Sequence, residues 1–337
     1  MILNNKSILI TGGTGSFGKK FIETVIKNYK PKKLIIYSRD EQKQFLMREK
    51  WSDDLHSPLR YFIGDVRDLE RLKDATRDID IVIHAAALKH VDIAEYNPFE
   101  AVKTNIMGAQ NLIEACLFNE VKKVIALSTD KASSPVNLYG ASKLTSDKLF
   151  VAANNYKGKK PTKFAIARYG NVMGSRGSVV PIFIKLKDSN FFPITSKEMT
   201  RFNITLKEGV NFVIDCLAKM WGGEIFVPKI PSYKILDVAK AINPKAKIKI
   251  TGLRPGEKIN EEMISENEAS NTLENKKYYV ILPNSKFLDW DIKDYKKSDK
   301  SFKFCPKNFS YNSKTNKNFL KVNEIKKIIN SNLKDFS

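Results

Sequence analysis

Three cysteines in 337 residues, Cys116, Cys216 and Cys305, are too few and too far apart for a disulfide framework, and none stand at metal-ligand spacing. That excludes a disulfide-stapled secreted module, points to a reducing compartment and leaves no metal site to assign. No apolar run is long enough to span a bilayer, and Met1-Ile2-Leu3-Asn4-Asn5-Lys6 leads into a strand pattern without a charged n-region, h-region or cleavage site. We expect a cytoplasmic chain, with no membrane insertion. Internal repeats are missing too, which excludes a solenoid or propeller. The net charge of +21 comes mainly from scattered lysines that are not interleaved with aromatics. It reads as a solvated surface, so nucleic acid is not an expected partner, although part of the charge can attract a polyanionic substrate.

What is present is ample apolar material, 42% of the chain, enough for a sizeable core. Short β-branched runs at Ser7 to Thr11, Lys33 to Tyr37, Arg60 to Ile63, Ile79 to His84, Lys123 to Ser128 and Lys163 to Arg168 alternate with longer amphipathic stretches. The helical patterns are Gly18 to Lys27, Asp40 to Lys50, Pro98 to Phe118 and Tyr139 to Asn155. This alternation predicts an α/β fold, a doubly wound parallel sheet of Rossmann type. We assign residues 1–170 to that domain, with a return segment near 200–222, because Thr205 to Met220 is helix-like. Residues 171–337 form a smaller α/β substrate domain, with helical stretches at Ser178 to Lys187 and Lys234 to Ile242. From about residue 284 the tail is polar and lysine-rich, and only Phe319 to Ile329 has helical periodicity.

The segment Gly12-Gly13-Thr14-Gly15-Ser16-Phe17-Gly18 follows the first strand and opens a helix. Glycines 12, 15 and 18 allow a tight turn and close backbone approach to a pyrophosphate, and the helix N-terminus adds partial positive charge. At the end of the second strand, where an acidic residue would bind the ribose 2′-hydroxyl of NAD, stand Ser38 and Arg39. An arginine there pairs with a 2′-phosphate, so the cofactor expected is NADP. Asp65 and Val66 after the third strand are placed to meet adenine, and Ala85, Ala86 and Ala87 after the fourth keep side chains small where backbone and cofactor approach.

Tyr139-Gly140-Ala141-Ser142-Lys143 carries the chemistry. On a helix Tyr139 and Lys143 share a face at i and i+4, so the ammonium can lower the phenol pKa; both also belong to the cofactor site. The preceding strand ends in Ser128-Thr129-Asp130-Lys131.

With these residues in view, the chain resembles the extended short-chain dehydrogenase/reductases, and more closely the inverting UDP-N-acetylglucosamine 4,6-dehydratases of the pseudaminic acid pathway. The shared stretches are TGGTGSFG, YSRDE, GDVRD, HAAALKHV, NPFEAVKTNI, LSTDKASSPVNLYGASK, RYGNVMGSRGSVVP, EMTRF and RPGEK, and the match weakens over the last fifty or so residues. The resemblance implies a redox-neutral dehydration. Tyr139 takes the proton of the sugar 4-hydroxyl as hydride passes to NADP, Thr129 hydrogen-bonds at that oxygen, and Lys143 holds the nicotinamide ribose. Asp130 then protonates the departing 6-hydroxyl and Lys131 takes the C5 proton. Lysine serves as that base only if its pKa is depressed, which burial or Lys143 can do; otherwise Lys131 is a structural cation paired with Asp130.

Also implied are sugar-nucleotide contacts at Lys89, Asn171, Arg176, Val179, Val180, Lys185, Thr195, Arg201, Arg254 and Glu257. Arginine suits the diphosphate and Glu257 a ribose hydroxyl. Asn203 stands where relatives carry an aromatic residue, and Asn260 where they carry histidine. Relatives pair through two helices, so a homo-oligomer is expected. A nucleotide-sugar 4-epimerase shares the glycine loop and the Tyr/Lys pair but has no use for Asp130-Lys131. An idle NADP-binding scaffold has no use for the catalytic set at all.

Overall fold

A computed structural model describes residues 1–175, 177–189, 191–284 and 288–333. Six strands are where the apolar runs predicted them: β1 (Ser7–Thr11), β2 (Lys33–Ser38), β3 (Leu59–Ile63), β4 (Ile81–His84), β5 (Lys123–Thr129) and β6 (Lys163–Tyr169). They stand side by side as β3-β2-β1-β4-β5-β6, all parallel. Winding reverses between β1 and β4, and this opens a crevice at the C-terminal strand ends. β1 and β4 are buried throughout because helices cover both faces of the sheet, which is why their sequences are continuous apolar runs and not alternating ones. Helix Ser16–Asn28 buries Phe21, Ile22 and Val25, and helix Leu206–Lys219 packs against it.

The sheet does not stop at β6. Ile225–Pro228 adds a parallel strand, followed by Tyr278–Ile281, Thr272–Glu274 and Lys303–Phe304 in antiparallel pairings, making ten strands. The chain therefore returns to the first lobe well beyond residues 200–222, and part of the lysine-rich tail is sheet. These strands are two to four residues long, too short to show a period. The tail is also anchored by Tyr295, Phe302, Cys305 and Tyr311, all buried, while Lys296, Lys297, Lys300, Lys303 and Lys307 face solvent.

A second core joins Met173, Val180, Phe183, Phe192, Ile194 and Tyr233 to Ile325 and Ile329 of helix Val322–Ser331. It supports the wall opposite the strand ends. No described helix is long and apolar enough to cross a membrane.

The helix expected over Pro98 to Phe118 is divided into Pro98–Ala101, a π-helical turn Val102–Met107, and Gly108–Phe118. The wider turn holds buried Asn105, which engages both backbone groups of Leu88: its Oδ1 accepts from the amide at 2.8 Å and its Nδ2 donates to the carbonyl at 2.9 Å. Asn105 Nδ2 also donates to Ser142 Oγ at 2.9 Å. One side chain thus fixes the Ala85–Lys89 strand exit against the helix bearing Tyr139, the kind of functional use to which π-turns are put.

Candidate active site

The cleft between the strand ends and the second lobe measures about 1190 Å³. One end is the glycine turn. Gly12 has φ +66°, and a Cβ on it would lie 2.8 Å from the Ala86 nitrogen and 2.9 Å from the Ala85 carbonyl carbon, so only glycine lets the turn meet the β4 exit. Helix Ser16–Asn28 has no acidic residue in its first turn, leaving its N-terminus free to receive an anion. Thr14 Oγ1 and Ser38 Oγ share a hydrogen bond of 2.9 Å. Arg39 lies beside them with its side chain 56% exposed and its guanidinium 3.6 Å from Asp65 Oδ2. This cradle, with Ala85, Ala86 and Ala87 along its floor, fits a dinucleotide.

At the centre β5 ends in Thr129 and runs into the 3-10 turn Asp130–Ala132. Helix Leu138–Tyr156 starts beside it, capped by Asn137, whose Oδ1 accepts from the Gly140 amide at 2.8 Å. A Cβ at position 140 would sit 2.3 Å from the Lys131 carbonyl oxygen, so glycine there brings Tyr139 against the turn. Tyr139 shares a hydrogen bond with Thr129. Asp130, fully buried, accepts at Oδ1 from Thr129 Oγ1 at 3.0 Å and from Lys131 Nζ at 3.1 Å, and its Oδ2 has no hydrogen-bond partner among the described residues.

Burial pushes the Tyr139 phenol up to about 12, against the Lys131 charge and the Thr129 hydrogen bond, which pull it down. Burial lowers Lys143, opposed by Asp147. Asp147 accepts from Ser128 Oγ at 2.7 Å and lies 3.4 Å from Arg168, which is fully buried and also pairs with Glu268 at 2.9 Å. This chain of charges runs under the helix bearing Tyr139 and ties it to helix Glu266–Ala269. His84 is held neutral, its pKa lowered to about 3 by burial and Lys143, while Nδ1 meets Thr11 Oγ1 at 2.8 Å.

The model of a polysaccharide biosynthesis protein family matches residues 8–283. The chain belongs to this family. It is 56% identical over 334 residues, 98% of each chain, to the UDP-N-acetylglucosamine 4,6-dehydratase (inverting) of Campylobacter jejuni subsp. jejuni serotype O:2. It is 40% identical to a UDP-glucose 4-epimerase of Rickettsia bellii, covering 96% of this chain and 95% of that one. Among solved structures, Pen from Bacillus thuringiensis superposes with a TM-score of 0.89 at 36% identity, covering 99% of both chains. The fold is that of the extended short-chain dehydrogenases/reductases.

Within this family member the cleft is lined by every residue expected to hold cofactor, from Gly12 to Lys143, by the five expected catalytic residues, and by Lys89, Asn171, Val179, Thr195, Arg201, Arg254 and Glu257. Arg176 lies outside the described residues. Two expected substrate contacts are elsewhere. On helix Val179–Lys185, Val179 and Ile182 line the cleft, while Val180 packs with Phe183 in the second core, Phe183 also reaching the cleft, and Lys185 is exposed at the far end. Arg201 lines the cleft but is already engaged: Nη1 donates to the carbonyls of Thr200 at 2.7 Å and Ile259 at 2.9 Å, and Nη2 to Lys258 at 2.9 Å. It shapes the RPGEK loop, whereas Arg254, 77% exposed and 3.0 Å from Glu257, presents its charge at the mouth.

Two electrostatic expectations are corrected. The cation acting on Tyr139 is Lys131, and Lys143 is not among the charges that shift it. Lys131 is not depressed: burial opposes its charge, but Asp130 and Glu261, each 3.1 Å away, more than compensate and raise its pKa above the ordinary lysine value. Glu261 was not anticipated. It follows RPGEK in the run Asn260-Glu261-Glu262, and spacing alone does not tell it from Glu262, which takes hydrogen bonds from Ser133 and Ser134. Asn137 is also unanticipated: beyond capping the helix, its Nδ2 donates to the Gly256 carbonyl at 2.7 Å, fastening the RPGEK loop to the helix bearing Tyr139. Of the two departures, Asn260 accepts from Thr200 Oγ1 at 2.7 Å, and Asn203 is buried behind Asn171, its strand partner.

Proposed function

We propose that this chain is an inverting UDP-N-acetylglucosamine 4,6-dehydratase that uses NADP and works as a cytoplasmic homo-oligomer supplying pseudaminic acid or surface-glycan synthesis. The observation that carries the reading is the cluster of half-buried Thr129, Lys131 and Tyr139 around buried Asp130, beside a dinucleotide cradle, in a chain 56% identical over its length to an enzyme of that name. Support for NADP comes from Arg39 beside Ser38 and from the absence of a carboxylate in the two residues that end and follow β2.

Tyr139 accepts the proton of the 4-hydroxyl in its phenolate form, which the Lys131 charge and the Thr129 hydrogen bond favour against burial, and the Thr129 hydroxyl hydrogen-bonds at the same oxygen. When bound, the oxidised nicotinamide supplies a reversible acceptor for the hydride that leaves C4 and returns at C6. Lys143 holds the ribose. The 4-ketone acidifies C5–H, Lys131 removes that proton, and the proton taken from the 4-hydroxyl, relayed from Tyr139 through Thr129 to Asp130, passes to the 6-hydroxyl, which leaves as water. Arg254 and Glu257 at the mouth receive the diphosphate and a ribose hydroxyl. The smaller lobe is the substrate domain.

A 4-epimerase is the second reading, favoured by the 40% identical relative of that name. Such an enzyme has no elimination for Asp130 and Lys131 to perform. Incubation of purified protein with UDP-N-acetylglucosamine in deuterium oxide separates the two: a dehydratase gives a product lighter by one water, with solvent deuterium at C5, internally derived hydrogen at C6 and inverted C5. An epimer of unchanged mass, or equal turnover of UDP-glucose, would overturn the assignment.

A further inference from the structure

The base assigned to C5 must be an uncharged amine, yet Lys131 rests between two carboxylates. Asp130 is committed to the departing hydroxyl, so the neighbour with no assigned work is Glu261. Its Oε1 lies 3.1 Å from Lys131 Nζ, its side chain is 2% exposed, and it lines the cleft. Its Oε2 is buried with no hydrogen-bond partner among the described residues. Nothing else there uses the carboxylate fully: Arg201 Nε is 3.7 Å away, and the Nη atoms of Arg201 are spent on backbone carbonyls. An ionised carboxylate that is buried and half satisfied costs several kcal/mol unless it has a charge partner. Here that partner is the proposed base.

We propose that Glu261 is the proton acceptor behind Lys131: Glu261 Oε1 takes a proton from Lys131 Nζ and frees the amine to remove the C5 proton. Glu261 acts through Lys131 and is a positioning residue in that sense. The inference deepens the dehydratase reading and rests on it. The step balances as follows. Ammonium and carboxylate become amine and carboxylic acid. The amine takes the C5 proton, and the C5–H electron pair moves into the C4–C5 bond, leaving the charge on the C4 oxygen near Thr129 and Tyr139. That charge returns to restore the ketone as C5–C6 becomes double and the C6–O bond breaks, the hydroxyl leaving with the Asp130 proton. After hydride reaches C6, the cluster returns one proton to C5, and Lys131 and Glu261 are again ammonium and carboxylate.

The charged and titratable groups around Lys131 are Asp130 and Tyr139 from its own side of the cleft, Arg201 and Tyr233 from the two strands opposite, and Glu261. Glu257 faces Arg201 at 3.8 Å, while Lys258 Nζ donates away from the pair, to the Ser133 carbonyl at 2.8 Å. Since Glu261 raises the Lys131 pKa, its removal lowers that pKa. Glu261→Gln keeps the shape of the side chain but cannot take a proton, so the amine can form only by loss of a proton to solvent, which rising pH favours.

The test is single turnover of the NADP-loaded enzyme with UDP-N-acetylglucosamine in deuterium oxide, following cofactor absorbance, C5 deuterium and water loss across pH. In Glu261→Gln, C4 oxidation persists and reduced cofactor accumulates. C5 exchange and water loss fall about 10²–10³-fold at neutral pH, and recover about tenfold per pH unit on the alkaline side. Wild-type C5 exchange in Glu261→Gln at neutral pH, or a loss that pH does not relieve, overturns the role of Glu261. Failure of the wild type itself to reduce cofactor or lose water overturns the dehydratase reading instead. If Glu261→Gln does not bind cofactor, Glu261→Asp decides: it keeps an acceptor and retains the wild-type profile, and an alkaline limb in its profile overturns the proposal.

Discussion

Ser313 and Glu261 hold each other through two hydrogen bonds: the Glu261 amide donates to Ser313 Oγ at 2.9 Å, and the Ser313 amide donates to the Glu261 carbonyl at 2.8 Å. Ser313 Oγ also lies 2.7 Å from Thr200 Oγ1, so a residue from the lysine-rich tail sets the depth of a carboxylate in the cleft. Ser313→Ala strands the buried Glu261 amide and should lower stability by about 1–3 kcal/mol. The urea midpoint should fall with its slope unchanged, and water loss should slow more than C4 oxidation does.

Tyr139→Phe removes the group proposed to accept the 4-hydroxyl proton and leaves the charges around Lys131 in place. Turnover should fall about 10²–10⁴-fold, with no transient cofactor reduction after mixing with substrate. A Tyr139→Phe enzyme that still reduces cofactor would show that another group deprotonates the 4-hydroxyl.

Arg39 is more than half exposed and paired only loosely with Asp65. Arg39→Ala should weaken NADP binding about tenfold while changing NAD binding little, as expected for one solvent-accessible charge-assisted contact. Titration of the stripped enzyme with both cofactors measures this, and equal affinities in the wild type would remove the assigned preference.

Glu224 gives the fold a pH dependence of its own. It is fully buried and receives amides from Trp221 and Gly222, yet burial dominates and raises its pKa to about 7 from an ordinary 4.5. The folded state therefore holds this proton more tightly than the unfolded chain does. Below 4.5 both states are protonated and the full contribution is present. Between 4.5 and 7 the unfolded chain ionises first, so stability falls as pH rises, by about 3 kcal/mol for a shift of this size. Glu224→Gln should flatten that slope in chemical denaturation over the same window, whatever its effect on absolute stability.

Much of the site was legible because it lies on short contiguous stretches at strand ends. Gly12 to Gly18, Ser38-Arg39, Ala85 to Ala87 and Thr129 to Lys143 each follow a buried parallel strand, and a doubly wound sheet sends all such ends to one crevice. Strand alternation and loop chemistry therefore placed the glycine cradle and the helix bearing Tyr139 together without any knowledge of packing. The substrate wall read less well. Val180 and Lys185 share a seven-residue helix with Val179, and which face meets the cleft depends on the second core beneath it.

The sequence by itself determined the parallel sheet and the glycine cradle, since those follow from local periodicity and glycine spacing, and its resemblance to a known family implied the residues proposed to do the chemistry. Only the tertiary structure decided the charge state in which those side chains wait. Lys131 and Glu261 are 130 positions apart in the chain and 3.1 Å apart in space. Proton affinity in a buried site is set by distance and desolvation, neither of which sequence separation contains.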